Sequence, residues 1–440
     1  MSSEWNRLTL KEAGVVLIDC DHRTPTSVDE GYPYIAIPQL KNGHIVLDGV
    51  RRISHADYID WTKKLKPQAN DVIVVRRCNS GDSAHIPAGL DCAIGQNLVV
   101  LRASGERVLP RFLRWLLKGP EWWNQVSKFI NVGAVFDSLR CRDIPNFELT
   151  IPPLEQQAVI ASVLCSIDDR ITLLRETNTT LEAIAQALFK SWFVDFDPVR
   201  AKAEGLEPEG MDAATAALFP DSFEESELGL VPNAWKVMPF SETISVIGGG
   251  TPKTSIAEYW NGDIPWFSVV DAPTTTDVFV IDTEKHITAA GLSNSATKLL
   301  PAGTTIISAR GTVGRLALVG RDMAMNQSCY GLRGRAGDSY FTYFHTYRLI
   351  GALKQRAHGS VFDTITRDTL SGVSIVYPNE RIICEFENTL TPVMQRIKEN
   401  LKQAKTLTQL RDALLPRLIS GKLRLPEAEA AIETMLSEAV

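Results

Sequence analysis

The sequence predicts a mixed α/β (α+β) fold with two duplicated globular domains and two long helices. Three observations support this prediction. Apolar residues recur every three or four positions along one stretch in each half of the 440-residue chain. The two halves contain similar segments in the same order. Short β-rich segments, at residues 71–76, 97–102, 304–309 and 316–319, are separated by Gly, Pro, Asn and Asp turns.

The first apolar stretch predicts one uninterrupted helix from Pro153 to Phe196, about 60 Å long at 1.5 Å per residue. Its apolar positions form a seam with an average spacing of about 3.5 residues, which is typical of a helix that packs along another helix. The residues on this seam are Ile160, Leu164, Ile167, Ile171, Leu174, Asn178, Leu181, Ala185, Leu188 and Trp192.

A second seam lies about 226 residues later. Pro392 interrupts it and predicts either a kink or the true start of the helix. One such helix is equally compatible with the core of a large domain, but two in matching places favour a two-helix spacer. Asn178 and Arg411 interrupt the apolar seams. A polar residue at such a position lowers the stability of the helix pair but fixes the register of the two helices. The second seam consists of Phe386, Leu390, Val393, Ile397, Leu401, Ala404, Leu407, Arg411, Leu414 and Leu418.

The two halves match at an offset that stays between 225 and 233 residues. Chance similarity would not keep this order over about 150 residues, so we infer a duplication. An aromatic-bearing amphipathic stretch also occurs in each half, at residues 110–129 and 340–357. We interpret Gly133–Asp137 and Gly359–Asp363 as structural turns anchored by phenylalanine. The matching segments include GYPYIAI (31–37) with GDIPWFSV (262–269), ANDVIVVRRCNSG (69–81) with AGTTIISARGTVG (302–314), and GAVFDSL (133–139) with GSVFDTI (359–365).

These observations divide the chain into six parts. We predict globular domains at residues 1–152 and 230–378, long helices at 153–197 and 379–422, a Glu-, Pro- and Gly-rich connector at 198–229, and a tail at 423–440.

The net charge of −6 is unevenly distributed. Residues 151–197 have 3 basic and 7 acidic residues and residues 198–229 have 2 and 8, whereas each globular domain has a slight basic excess. This balance permits a basic face on each domain. The N-terminus lacks an apolar secretion signal and no run approaches 18 apolar residues, so we expect a cytoplasmic protein without a membrane partner. The seven cysteines are scattered without metal-ligand spacing, and we expect no metal site.

No catalytic motif is recognisable in the sequence. The chain lacks the polar-Pro-Pro-aromatic loop of adenine methyltransferases, a Gly-rich turn suited to S-adenosylmethionine, and the Asp/Glu-x-Lys core of common nucleases. The Gly-rich run at 248–254 lacks the spacer and the Gly-Lys pair of a phosphate-binding P-loop. The sequence therefore predicts a chain that is not an enzyme.

Polar loops beside short strands recur at equivalent places in the two halves. Arg, Asn and Gln form paired hydrogen bonds to base edges, and Ser, Thr and Gly-rich backbone suit phosphate. The alternative is that these side chains only decorate surface loops. The candidate DNA-binding residues are Arg76, Arg77, Asn79, Ser80, Gln96 and Asn97 in the first half, and Thr251, Lys253, Arg310, Thr312, Arg315, Asn326, Gln327 and Ser328 in the second.

Several segments resemble the specificity subunits of Type I restriction–modification systems. They include IGGGTPKTSIAEYWNGDIPW (247–266), ISARGTVGRLALVG (307–320) and IPPLEQQAVIASVLCSIDDRI (151–171). With the duplication, the resemblance covers nearly the whole chain. The first half departs from the pattern, because DCDHRTP (19–25) stands where the second half has GGGTP.

The resemblance implies that each globular repeat is a target-recognition domain that reads one half of a bipartite, asymmetric site on double-stranded DNA. The two helices are then expected to pack antiparallel about a pseudo-twofold axis and to set the gap between the half-sites. Two modification (methyltransferase) subunits are expected to dock on the helices and connector and to bind S-adenosylmethionine. Restriction (motor-nuclease) subunits would use ATP and Mg²⁺. No cofactor is expected in this chain.

Two alternatives stay open at this point. The first alternative to a DNA-reading subunit is a structural adaptor of a multi-subunit defence complex that does not bind DNA. The second is an enzyme whose methyltransferase site has an unfamiliar sequence.

Overall fold

The computed structural model describes residues 5–132, 137–273, 277–357 and 364–422. The fold is mixed α/β, as predicted, and the chain divides into two compact units. Unit 1 comprises Met1–Ile171 and Thr406–Val440, and unit 2 comprises Thr172–Lys405. Among the described residues, no helix has both the length and the apolar character that crossing a membrane requires.

The first repeat lies in unit 1. Its strands within the described residues are β1 (Asn6–Thr9), β2 (Val15–Asp19), β3 (Tyr32–Ile35), β4 (Leu40–Lys41), β5 (His44–Ile45), β6 (Arg51–Ile53), β7 (Val72–Val75), β8 (Ser83–His85), β9 (Ala93–Ile94), β10 (Leu98–Ala103), β11 (Asn131–Val132), β12 (Asp137–Ser138) and β13 (Glu148–Ile151), and its helices are α1 (His55–Trp61), α2 (Pro110–Leu116) and α3 (Pro120–Phe129).

The largest sheet of the first repeat has the antiparallel order β2-β10-β7-β8. Its central strands β7 and β10 are almost entirely buried, and their residues are apolar apart from Arg102, as expected for strands covered on both faces. A smaller sheet has the order β6-β3-β9, in which β3 and β9 are parallel. The strands β1 and β13 pair near the two ends of the repeat.

Unit 2 contains the second repeat and the connector. The remaining elements in chain order are α4 (Leu154–Lys190), α5 (Asp197–Ala203), α6 (Ala213–Ala216), β14 (Phe223–Ser226), β15 (Gly229–Pro232), β16 (Lys236–Pro239), α7 (Phe240–Thr243), β17 (Ile244–Gly248), β18 (Trp260–Phe267), β19 (Phe279–Val280), β20 (His286–Ile287), α8 (Ala289–Ser293), β21 (Thr305–Ser308), β22 (Leu316–Val319), β23 (Ala324–Met325), β24 (Cys329–Gly334), α9 (Tyr340–Ala357), α10 (Arg367–Ser371), β25 (Ser374–Tyr377) and α11 (Glu380–Ile419).

The second repeat has the same strand order as the first. Its main sheet runs β17-β24-β21-β22 and is extended by β19, and its smaller sheet runs β20-β18-β23 with β18 and β23 parallel. The pairing of β16 with β25 corresponds to that of β1 with β13. The four predicted β-rich segments are β7, β10, β21 and β22. The predicted duplication is confirmed, because the main sheets, the smaller sheets and the end pairs of the two repeats correspond.

The two repeats differ in their amphipathic helices. The second repeat has one continuous helix, α9, whereas the first has α2 and α3, separated at Gly119–Pro120. Proline cannot donate the backbone hydrogen bond that a continuous helix requires there, so Pro120 begins a new helix.

The two long helices are α4 and α11. A π-helical turn at Ser191–Asp195 continues α4, and Phe196 in the left-handed region (φ 56°) ends it. Pro392 does not mark the start of α11, because the helix begins twelve residues earlier at Glu380. The exposed Pro392 is accommodated inside the helix.

The seam residues of both helices lie in the cores of the two units. In unit 1, the buried seam residues are Ile160, Leu164, Ile167, Ile171, Leu407, Leu414 and Leu418. In unit 2, Leu174, Ala185, Trp192, Phe386, Leu390, Ile397 and Ala404 are buried, and Leu181, Leu188, Val393 and Leu401 pack partly buried against an aromatic cluster.

Asn178 makes a buried polar contact across the helix pair in unit 2. Its amide donates to the carbonyl of Ile397 (3.2 Å), and the amide of Asn400 donates to its Oδ1 (2.9 Å). Towards the other end of unit 2, Trp192 packs against Phe386. The helices are therefore antiparallel in this unit, as expected.

Arg411 interrupts the seam in unit 1 and makes a buried ion pair there. Its Nη1 lies 2.7 Å from one oxygen of Asp168, and Arg114 of α2 lies 2.9 Å from the other. Burial by itself would raise the pKa of Asp168, but hydrogen bonds from His44 and Arg411 and the charge of Arg114 hold it well below its usual range. Burial and the charge of Arg114 lower the pKa of His85 to about 4, so a neutral imidazole accepts from this arginine.

Each unit also caps its amphipathic helix with a side chain from a long helix. In unit 1, Gln157 accepts from the Leu109 amide (2.8 Å) at the start of α2. In unit 2, Glu387 accepts from the amides of Tyr340 and Phe341 (both 2.8 Å) at the start of α9. Burial outweighs these hydrogen bonds and raises the pKa of Glu387 to about 7.

We predict that Asn178→Ala destabilises the protein by about 1–3 kcal/mol, because the buried Asn400 amide loses its acceptor. The double variant Asn178→Leu/Asn400→Leu should recover most of this loss, because two apolar residues can pack in the same place. The free energy of unfolding in urea measures both effects, with the exposed Thr180→Ala as a control that changes little. An Asn178→Ala variant as stable as the wild type would contradict this assignment.

We predict that Glu387→Gln removes part of the pH dependence of stability. The unfolded carboxyl titrates near 4.5 and the folded one near 7, so the wild-type free energy of unfolding falls as pH rises through this window. Gln retains the acceptor and does not titrate, and Gln157 already serves this way in unit 1. The free energy of unfolding in urea, measured between pH 4.5 and 8, tests this prediction. Glu399→Gln, at an exposed position on α11, is the control and should keep the wild-type pH dependence. An unchanged slope in Glu387→Gln would refute the prediction.

Candidate nucleic-acid interface

A short hairpin loop carries an exposed arginine in each repeat. In the first repeat it connects β7 and β8 and presents Arg77, and in the second it connects β21 and β22 and presents Arg310. Gly81 (φ 100°) and Gly314 (φ 82°) close the two loops in the left-handed region that favours glycine. Each glycine amide donates 2.9 Å across the loop to the end of the preceding strand.

Both arginines are held by the same backbone contacts. Arg77 forms an isolated bridge with Ser138, and Arg310 forms one with Thr364. One residue further along, the Leu139 amide donates to the Arg76 carbonyl at 2.9 Å. In the second repeat, the Ile365 amide donates to the Ala309 carbonyl at 3.0 Å. The turns proposed at Gly133–Asp137 and Gly359–Asp363 lie outside the described residues, apart from Asp137.

A threonine–glutamine hydrogen bond occurs at the same place in both repeats. Gln96 donates to the hydroxyl of Thr24 (2.8 Å), and Thr251 bonds to Gln327. Thr24 is absent from the residues predicted from the sequence. The dipeptide Thr24–Pro25 matches Thr251–Pro252, and this match is the signal that would have found it.

The hairpin and the glutamine loop are joined by backbone hydrogen bonds. Arg76 donates to the carbonyl of Asn97 (2.8 Å), and in the second repeat Ala309 donates to that of Ser328 (2.7 Å). Each repeat therefore brings an exposed arginine and a Thr–Gln pair to one edge of its main sheet.

Not every candidate residue has its polar group turned outward. Ser80 is buried, and its hydroxyl donates to the Arg76 carbonyl within the hairpin (2.9 Å). Asn326 accepts from the Ser328 amide (3.0 Å), which stabilises its loop. The exposed candidates are Arg77, Asn79, Thr251, Lys253, Arg310, Thr312, Arg315 and Gln327.

Beside its Thr–Gln pair, the first repeat has a shallow concavity of about 380 Å³. Its lining includes Thr24, Gln39, Arg51 and Gln96, so it offers both donors and acceptors. Arg51 also donates to the carbonyl of Pro25 (3.0 Å) and so holds the Thr-Pro segment against the sheet.

The segment before Thr24 is rich in charged and thiol groups. The side-chain hydrogen bond from Arg23 holds the pKa of Asp21 at about 2. Burial, with the neighbouring charge of Asp19, raises the pKa of the Cys20 thiol. The ligand atoms of Asp19, Cys20 and His22 lie within 4.8 Å of one another, although their spacing in sequence predicted no metal site.

The sequence and the fold both match known proteins. The chain matches the Type I restriction modification DNA specificity domain twice, over residues 4–183 and 232–409. The HindI specificity subunit of Haemophilus influenzae is 28% identical over 75% of this chain and 81% of its own length. The MjaIX specificity subunit of Methanocaldococcus jannaschii is 28% identical over 96% of this chain and 94% of its own.

The crystal structure of a Type I restriction–modification S subunit from M. genitalium has a similar fold. It aligns with a TM-score of 0.55 over 95% of this chain and 96% of that chain, at 16% identity. The two domain matches cover more than half of the sequence, and they lead to one conclusion. The chain belongs to the family of Type I restriction–modification DNA specificity proteins.

Proposed function

We propose that this chain is the DNA-reading subunit of a Type I restriction–modification complex, in which each repeat reads one half of a bipartite, asymmetric site. The observation that carries this proposal is the exposed arginine and Thr–Gln pair at the same sheet edge of both repeats. Guanidinium and amide groups suit the hydrogen-bonding edges of bases in the major groove. The presence of two such edges in one chain favours a site with two halves.

The long helices set the gap between the half-sites in this proposal. Helix α4 has 37 residues and α11 has 40, so each is about 55–60 Å long. The polar contacts of Asn178 with Asn400 and of Arg411 with Asp168 are satisfied in one register only. A fixed register is what a constant gap requires.

The helices and the connector also dock two modification (methyltransferase) subunits in this proposal. Apolar side chains on α4, in the connector and on β15 that are half or more exposed support docking in unit 2: they are Leu173 and Ile184 on α4, Leu206 and Leu228 in the connector, and Leu230 on β15. The HindI and MjaIX proteins are named as subunits of restriction enzymes. S-adenosylmethionine would bind to the modification subunits, and ATP and Mg²⁺ to restriction subunits, so this chain itself would bind none of these three and catalyse no reaction.

A methylome tests the proposed function. This chain is co-expressed with its methyltransferase subunit in a host without adenine methylation, and N6-methyladenine is mapped across the genome. We expect a split motif with a constant gap that disappears when this chain is omitted. Methylation that appears without this chain, or none with it, would overturn the proposal and favour a structural adaptor.

We predict that Arg77→Ala and Arg310→Ala each relax one half of the motif and leave the other half unchanged. The loss of a base contact should cost about 1–3 kcal/mol of discrimination at that position. The methylome of each variant measures the relaxed positions, and Arg381→Ala, an exposed arginine on α11, is the matched control. Equal weakening at all sequences would instead identify a phosphate contact.

A further inference from the structure

We propose that Asp19, Cys20 and His22 form a site for one divalent transition-metal ion, best suited to Zn²⁺, beside the candidate DNA-binding residues of the first repeat. The effect on DNA argued below rests on the function proposed above. The binding of the metal does not.

The three side chains have the composition of a zinc site. Thiolate, imidazole and carboxylate are the ligands that Zn²⁺ takes in proteins, whereas Mg²⁺ and Ca²⁺ prefer oxygen ligands. One ligand atom from each residue lies within 4.8 Å of the others, and His22 Nε2 is 3.1 Å from Asp19 Oδ2. Ligand atoms around a tetrahedral Zn²⁺ are about 3.3–3.8 Å apart, so closure needs movements of only about 1 Å.

The segment that carries these residues is held by its neighbours. Arg23 donates to Asp21 (2.6 Å) and to Asp60 of α1 (2.9 Å), and its guanidinium lies over the ring of Trp61. Cys20 is anchored in the core at 2% exposure, whereas the His22 side chain is 56% exposed. The buried thiol therefore lies next to an exposed histidine that already contacts the third ligand, Asp19.

The second repeat lacks the side chains of such a site, and its backbone leaves no room for a side chain at Gly249 or Gly250. Glycines occupy the equivalent positions at the end of β17, and a Cβ atom on Gly249 would lie 1.9 Å from the Asn326 carbonyl oxygen. A Cβ atom on Gly250 would lie 2.4 Å from the backbone nitrogen of Thr297. The second repeat is thus a natural internal control, because the metal can act only in the first.

The charge of the segment suggests what the ion does. Arg23 pairs with the carboxylates of Asp21 and Asp60, and the remaining carboxylate of the segment, that of Asp19, lies five residues before Thr24 and would repel DNA phosphates. On binding, Zn²⁺ displaces the Cys20 thiol proton to solvent, and the ion balances the charges of the Asp19 carboxylate and the thiolate. The segment would lose the negative charge of Asp19 and gain a fixed geometry.

The binding test uses the full chain with its methyltransferase subunits and Co²⁺ as the spectroscopic probe. After treatment with a chelator, Co²⁺ alone is titrated into the complex, and the subunits without this chain serve as the blank. We expect one Co²⁺ per chain above the blank, with tetrahedral d–d bands and a thiolate charge-transfer band, and displacement of Co²⁺ by Zn²⁺.

Variants assign the ligands. Cys20→Ser should lose the thiolate band, and His22→Ala, at an exposed position, should weaken Co²⁺ binding at least tenfold without affecting folding. Cys384→Ser, which removes an exposed cysteine on α11, should behave as the wild type. No thiolate band in the wild type, or a band that survives in Cys20→Ser, would overturn the metal site.

The effect on DNA is tested separately. Retention on the methylated motif is compared for the chelated and Zn²⁺-loaded complexes, with single-base changes in each half. We expect chelation to reduce discrimination at least threefold at the half read by the first repeat and to leave the other half unchanged. Metal binding without this difference would overturn the role in DNA reading, and a normal methylome without metal binding would overturn the site but leave the proposed function intact.

Discussion

The packing of α4 against α11 is the constraint on which both units depend. Apolar seam residues alone tolerate a shift of one turn, because they are similar to one another. The directional contacts of Asn178 with Asn400 and of Asp168 with Arg411 do not tolerate such a shift, because each contact is satisfied in one register only. The globular repeats are built onto this pair of helices, through Arg114 in unit 1 and through the aromatic residues of α9 in unit 2.

The duplicated halves keep one topology but use different chemistry at equivalent places. Unit 1 joins its amphipathic helix to the long helices by a buried cluster of charges, whereas unit 2 uses an aromatic cluster around Phe189 and Phe386. The capping side chain is a neutral Gln157 in one unit and the titratable Glu387 in the other. Because a buried ion pair costs desolvation, the loss of one partner in unit 1 would leave an uncompensated buried charge.

The same division between common frame and local variation applies to the candidate interface. The hairpin, the bridge beside it and the Thr–Gln pair are shared, and the bridge holds the backbone of an arginine in both repeats. The segment that precedes the Thr-Pro dipeptide, at the end of β2 in the first repeat and of β17 in the second, differs in length and composition. It is DCDHR in the first repeat and GGG in the second. In the proposed function, this shared frame with variable side chains would let the two repeats read different half-sites.

The sequence by itself determined the fold class, the duplication, the four β-rich segments and the two long helices, because each depends on local periodicity or on repeated order along the chain. It indicated that Asn178 and Arg411 were unusual but not what they contact. Only the tertiary structure decided that Asp168 and Arg114 meet Arg411, that Thr24 bonds to Gln96, and that Ser80 is buried. These contacts join residues that are far apart in sequence or depend on the exact course of a loop. No periodic pattern records them, and they follow only from how the chain packs.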